Sequence, residues 1–202
     1  EVRDVDGGML PGEFFIAVDP VNDAPKHVIP GTTAEDRLDT NVGQSIAFTG
    51  GNQIQVVDGD AGLGDITIDL AVAPSVADAA ILTIDAVSDD VQVSGNGTGA
   101  LSLTGTLEAV NGALSTLVYA VQDAGAFWLD RLTLTTTDYG RTGKGGAAVT
   151  TDQIYIKVND TPEILVNTGL TVDEGAGAAV DNTRLAVQDR DDPVVFELTA
   201  QP

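Results

Sequence analysis

Apolar and polar residues alternate along much of this chain. In Asp65-Ile66-Thr67-Ile68-Asp69-Leu70 every second residue is aliphatic, and in Arg131-Leu132-Thr133-Leu134-Thr135-Thr136 the leucines alternate with polar residues, the pattern of a strand with one buried face. Further strands are expected at Phe14-Phe15-Ile16-Ala17-Val18, Gln55-Val56-Val57, Ala80-Ile81-Leu82-Thr83-Ile84, Val91-Gln92-Val93, Leu101-Ser102-Leu103-Thr104 and Gln153-Ile154-Tyr155-Ile156-Lys157-Val158. Clusters of Gly, Asp and Asn punctuate these runs, and short strands separated by such turns predict an all-β sandwich. One segment has a different period. Leu107, Val110 and Leu114 stand at helical spacing behind Thr106, a residue suited to cap a helix, so 107–114 is expected to be a short crossover helix between strands.

The chain also repeats itself. Val21-Asn22-Asp23-Ala24-Pro25 returns as Val158-Asn159-Asp160-Thr161-Pro162, the two asparagines standing 137 positions apart (22 to 159). An acidic glycine turn and an alternating strand precede each copy: Asp4-Val5-Asp6-Gly7-Gly8 before the first, Asp138-Tyr139-Gly140 before the second. Two copies of a domain ending bracket one whole domain. Residues 1–23 are then expected to end a preceding sandwich domain, 24–160 to form a complete one, and 161–202 to open the next. Glu1 starts in mid-pattern and no signal peptide is visible, so an export signal would lie elsewhere in a longer parent.

Charge narrows the function classes. With 31 acidic residues against 9 basic, the formal net charge is −22. Such a chain repels phosphate backbones and anionic lipid surfaces, which argues against nucleic-acid binding and membrane attachment. No run approaches the roughly 20 apolar residues of a membrane helix. Three uses of the charge stay open: solubility, adaptation to high salt, or hard cations held by clustered oxygens. Cysteine is absent, and a chain of this length can bury a core without disulfides.

Clustering at turns favours the cation. Each Asn-Asp-x-Pro linker offers side-chain oxygens, while its proline fixes the local backbone. Asp58-Gly59-Asp60 follows one strand, and Asp189-Arg190-Asp191-Asp192 follows Leu185-Ala186-Val187. Alternate aspartates can turn both carboxylates toward one ion, and calcium takes about six to eight oxygens in a forgiving geometry. Singly, Asn-Asp-x-Pro is an ordinary Asx turn and Asp-Gly an ordinary hairpin turn; their recurrence in the same order around both linkers moves the balance toward calcium. Other chemistry has little to stand on. His27 is the only histidine, which leaves no zinc set or histidine triad. Aromatics are 4% of residues, Trp128 reads as core, and glycoside hydrolysis wants a carboxylate-flanked cleft usually lined by stacking aromatics. The glycine-rich stretch 140–146 lacks the lysine-hydroxyl ending of a phosphate loop and reads as a long hairpin loop. The chain is expected not to be an enzyme.

Several segments together resemble the cadherin-like repeats of giant bacterial surface adhesins: Asn22-Asp23-Ala24-Pro25, Glu35-Asp36, Val57-Asp58-Gly59-Asp60, Gly105-Thr106-Leu107-Glu108-Ala109-Val110-Asn111, Leu117-Val118-Tyr119, Thr137-Asp138-Tyr139-Gly140 and Gly143-Lys144-Gly145-Gly146. The resemblance covers roughly residues 24–160, and the stretch from Val172-Asp173-Glu174-Gly175 to Asp191 resembles the opening of a chondroitin-sulfate-proteoglycan-type repeat. It implies a Greek-key immunoglobulin/cadherin-like sandwich with calcium between successive domains. Carried over, the first junction would use Asp6, Asn22, Asp23, Asp58 and Asp60, and the second Glu35 or Asp36, Asp138, Asn159, Asp160, Asp189 and Asp191. The family's linker opens with an aspartate two places before its Asn-Asp, where this chain has Pro20 and Lys157; Asp19 is the nearest substitute at the first junction, and fewer ions per junction are expected. The function implied is a calcium-rigidified extracellular spacer or adhesion module of a large surface protein, contacting its neighbouring domains and offering homophilic, glycan or matrix contacts. The alternative is a carbohydrate- or matrix-binding module on the same sandwich.

Overall fold

The computed structural model describes residues 2–3, 5–10, 12, 15–73, 80–85, 88–121, 129–189 and 193–195. Phe14, Trp128 and Asp191, which carried sequence expectations, lie outside them.

The chain is mostly β with a single α-helix among the described residues. Its largest sheet has six strands, in the order β4 (Leu38–Asn41), β13 (Val149–Asn159), β12 (Asp130–Thr137), β7 (Asp65–Ala73), β10 (Ala100–Thr106) and β9 (Val91–Ser94). Neighbours run antiparallel, except that β4 runs parallel to β13, with Leu38 opposite Ile156 and Asn41 opposite Asn159. A second sheet contains β5 (Ser45–Ala47), β11 (Val118–Val121) and β8 (Ala80–Thr83). Alternation decides which faces meet. Ile66, Ile68 and Leu70 of β7, Leu132 and Leu134 of β12, and Ile154 and Ile156 of β13 join Ile46, Leu82 and Tyr119 of the smaller sheet in one buried cluster, giving an open, sandwich-like architecture. Burying such side chains at about 25 cal/mol per Å² is the main favourable contribution to folding.

The helix α1 (Leu107–Leu114) lies where the spacing of Leu107, Val110 and Leu114 places it. Thr106 Oγ1 accepts from Ala109 N at 3.3 Å, and Val110, Ala113 and Leu114 are buried. Residues 138–148 form the long loop between the antiparallel β12 and β13, so the glycine-rich stretch is a hairpin loop.

Two-stranded pairs make up the rest: β1 (Val2–Arg3) with β2 (Met9–Leu10), β3 (Lys26–Val28) with β6 (Gln55–Val57), and β14 (Glu163–Asn167) with β15 (Leu185–Gln188). Of the strand expected at Phe14–Val18, the described residues 15–18 form none. Phe15, Ile16 and Val18 are largely exposed, and residues 15–20 join no ladder among the described residues. A run of apolar residues favours an extended chain, but a strand also needs a neighbour for its backbone.

Candidate functional site

The acidic residues that converge do so where the first linker meets the end of the large sheet. Lys26 pairs with Val57 across β3 and β6, so the next residue on one side, Asp58, comes opposite Pro25 on the other. Asp60 N–H donates to Asp58 Oδ1 at 3.1 Å, closing the Asp-Gly-Asp turn. Asp23 N–H donates to Asp60 Oδ2 at 2.9 Å. Asn22 reaches across from the linker, its Nδ2 donating to Asp138 Oδ2 at 2.7 Å and to the Gly146 carbonyl at 3.1 Å. Asp138, 5% exposed, also accepts at Oδ1 from Gly140 N–H and Ala148 N–H, both at 2.8 Å.

The glycine-rich loop is shaped to hold the linker. Val21 bridges in parallel to Lys144, Lys144 N–H donates to the Pro20 carbonyl at 2.8 Å, and Asn22 N–H returns to the Lys144 carbonyl at 2.8 Å. Lys144 Nζ pairs with Asp19, and Thr142 Oγ1 donates to the Asp60 carbonyl. Gly143, at φ +82°, lets the backbones meet: a Cβ there would stand 2.7 Å from Asn22 N. At Tyr139 the loop pays in backbone strain, taking φ +63°, with its hydroxyl 2.8 Å from Thr67 Oγ1.

The electrostatics of the cluster are uneven. Burial pushes the Asp58 carboxyl up, and its contact with Asp60 and the negative fields of Asp60 and Asp138 push the same way against the Asp60 N–H bond. Asp138 behaves oppositely. Burial raises it, but the N–H groups of Ala148 and Gly140 and the Asn22 amide together hold it below the usual carboxylate range. Asp58 Oδ2 and Asp60 Oδ1 are buried and have no hydrogen-bond partner. Buried carboxylate oxygens without a partner invite a cation.

A hard, oxygen-seeking dication fits that donor set. Asp58 and Asp60 would hold it, with Asp138 as a third negative charge nearby. The fit is to a carboxylate pair plus neutral oxygens; among the described residues no group of three His, Cys, Asp or Glu side chains is already closed around a point that could hold a metal.

The remaining sequence-predicted residues fall elsewhere. Asp138, assigned by the resemblance to the second junction, is bonded to Asn22 of the first Asn-Asp-x-Pro segment, because the loop leaving β12 turns back over residues 19–22. Glu35 and Asp36 lie in an exposed loop, where Asp36 N–H donates to Thr33 Oγ1 at 3.0 Å. That loop precedes Leu38, which faces Ile156; since β4 and β13 run parallel, the two carboxylates lie back along β13 rather than beside Asn159. Asp6 sits in the exposed turn between β1 and β2. At the second linker, Asn159 Nδ2 donates to the Asp160 carbonyl and Thr161 N–H to Asp160 Oδ1, both at 2.8 Å. Glu163 pairs with Gln188, which puts Asp189 opposite Pro162, as Asp58 stands opposite Pro25.

Sequence reasoning missed the groups that support the turn. Asn111 of α1 accepts from Val56 N–H at 2.8 Å and donates to the Val56 carbonyl at 2.9 Å, pairing with β6 as a neighbouring strand would, two residues before Asp58. His27 is also structural: its side chain is fully buried, with Nδ1 2.8 Å from Asp152 Oδ2 and Nε2 2.8 Å from Thr136 Oγ1. No family model matches the chain, and no curated protein matches it.

Proposed function

We propose that this chain is an extracellular spacer or adhesion unit of a tandem array of Greek-key, cadherin-like sandwich domains, with calcium holding the linker at the entrance of each unit. The observation that carries the reading is the pair Asp58 and Asp60, each with one buried oxygen lacking a partner, directly beneath the linker that Asp23 and Asn22 tie to the same end of the sheet. The matching placement of Asp189 opposite Pro162 supports a second unit built alike. In this reading residues 1–23 close a preceding unit, 24–160 form a whole one and 161–202 open the next, and the role is mechanical rather than catalytic.

The residues divide the work. Asp58 and Asp60 supply the charge, Asn111 fixes the strand that presents them, and Asp138 with Asn22 fastens the linker. Bound calcium would neutralise the paired carboxylates and join them to the linker oxygens. Extracellular modules hold calcium at about 10⁻⁴–10⁻³ M, which suits an exported surface protein.

The alternative, a glycan-binding module, has one observation in its favour: Tyr139, 47% exposed, next to Asp138. Its hydroxyl is bonded to Thr67 and Arg141 lies 5.7 Å from the ring centre, which leaves little free face for a sugar to stack on.

Thermal melting tests the main reading. The wild type should melt several degrees higher in calcium than in chelator, since a hundredfold excess over Kd adds about 2.7 kcal/mol. Asp58→Asn with Asp60→Asn keeps the acceptors for the Asp60 and Asp23 N–H groups but removes the charge, so the calcium increment should vanish while the chelator melt stays at or above that of the wild type. A wild-type melt indifferent to chelator would sink the calcium account.

A further inference from the structure

Two asparagines stand in for missing strands, and both are followed by glycine. Asn111 holds both backbone groups of Val56. Asn96 holds those of Ile84, its Oδ1 accepting from the N–H at 3.0 Å and its Nδ2 donating to the carbonyl at 3.1 Å. Of the eight asparagines in the chain, these are the two with glycine next, as Asn96-Gly97 and Asn111-Gly112. A following residue without a side chain leaves its backbone nitrogen freest to reach the asparagine amide. That nitrogen attacks the side-chain carbonyl carbon and gives up its proton to the departing amide, which leaves as ammonia. Water then opens the cyclic imide at either carbonyl, giving aspartate or isoaspartate.

The fold opposes this reaction at both places, but unequally. Each asparagine amide is tied across to a strand, away from the nitrogen that would attack it. That nitrogen is itself engaged: Gly97 N–H donates to the Leu82 carbonyl at 2.8 Å, and Gly112 lies within the hydrogen-bonded turns of α1. Val110, Ala113 and Leu114 anchor α1 in the core. Residues 96–98, at the tip joining β9 to β10, are exposed instead. The tip meets β8 and Ile84 through the bonds just given and through Leu82 N–H, which donates to the Thr98 carbonyl at 2.8 Å. Gly95, Asn96, Gly97 and Thr98 bury no apolar side chain, so lifting them breaks a few hydrogen bonds and leaves the core packed, as a local opening does.

We propose that Asn96-Gly97 is a site of spontaneous deamidation in the folded chain, reached when the β9–β10 tip lifts from β8, and that Asn111-Gly112 carries the same chemistry but stays closed until α1 unfolds. The product ends the contact. A carboxylate has no N–H to offer the Ile84 carbonyl and repels it, so the tip does not seat again as before.

Timed incubation of the full 202-residue chain in mildly alkaline buffer, followed by peptide mapping in a mass spectrometer, reads both sites at once. In guanidinium chloride the two asparagines should convert at similar rates. In native buffer both should slow, with Asn96 converting at least about tenfold faster than Asn111. A folded chain in which Asn96 is as inert as Asn111, or in which either site reacts as fast as in denaturant, overturns the proposal. Native-state hydrogen exchange reads the openings without the chemistry. Relative to their unfolded-chain rates, the Gly97 and Ile84 amides should exchange at least about tenfold faster than the Val56 amide held by Asn111. Equal protection of Ile84 and Val56 would mean that one opening frees both asparagines, and the distinction between the two sites would fall.

Discussion

At the scale of single residues, the most exacting contact in the core is polar. Tyr119 is completely buried and donates its hydroxyl to Asp130 Oδ2, and Asp130 is itself 5% exposed. Burial pushes the Asp130 carboxyl above its ordinary range, and the tyrosine bond pulls it part of the way back. Burial and the neighbouring carboxylate push the Tyr119 phenol up, so it stays protonated as the donor. The sign of the pH effect follows. A carboxyl raised in the folded state contributes stability that is present in full below its unfolded pKa and is lost as pH rises through the folded value. Tyr119→Phe removes the bond that favours the ionised form, so Asp130 rises further. Denaturant unfolding should show a loss of about 1–3 kcal/mol near pH 8 and a clearly smaller loss near pH 4. An equal loss at both pH values would mean that the tyrosine acts through packing alone. Asp138 works in the other direction: held low by its donors, it stabilises the linker contact at neutral pH and gives that up as pH falls.

At the scale of elements, one device recurs where the ladders run out. Asn111 pairs with both backbone groups of Val56, and Asn96 does the same for Ile84, its Oδ1 accepting from the N–H at 3.0 Å and its Nδ2 donating to the carbonyl at 3.1 Å. Asn111→Ala should therefore cost about 1–3 kcal/mol by orphaning two backbone groups of β6, and should lower calcium affinity because Asp58 follows two residues later. Asn111→Asp, which keeps one acceptor, should fall between in a denaturant series. Gly143→Ala makes a separate test of the loop: the new Cβ must push Asn22 away, so its melt in calcium should drop toward the chelator value. The helix was legible because three apolar residues and a cap fix its phase, and the long strands because two-residue alternation persists through them. β3 (Lys-His-Val), β4 (Leu-Asp-Thr-Asn) and β5 (Ser-Ile-Ala) each carry a single large aliphatic residue, too few to mark a face, unlike the equally short β6, β8 and β9. The Asp-Gly-Asp turn and the Asn-Asp-x-Pro linker were legible as candidate ligands, but not their partner. Asp138 meets Asn22 from 116 residues away, a pairing set by how the β12–β13 loop folds over the linker, and the opposite assignment was the one the resemblance implied.

At the scale of the whole molecule, the net charge of −22 has two separable effects. Most of the 31 acidic residues take no part in the first-linker cluster, where the carboxylates are those of Asp23, Asp58, Asp60 and Asp138. The dispersed charges repel over distances that salt screens, with a Debye length of about 10 Å at 0.1 M. Each carboxylate of the clustered pair has one oxygen shielded from solvent, which monovalent salt reaches poorly, while an ion coordinated by those oxygens neutralises the pair directly. In chelator, sodium chloride should raise the melting temperature gradually and without saturation. At fixed high salt, millimolar calcium should add a further, saturable rise, and magnesium a smaller one because it sheds its water reluctantly and demands a tighter octahedron. Asp58→Asn with Asp60→Asn should keep the salt response whole and lose the calcium increment. Were sodium chloride alone to bring the wild type to its calcium-loaded melting temperature, the acidity would be a matter of general charge, and the carboxylate pair would have no ion-specific role.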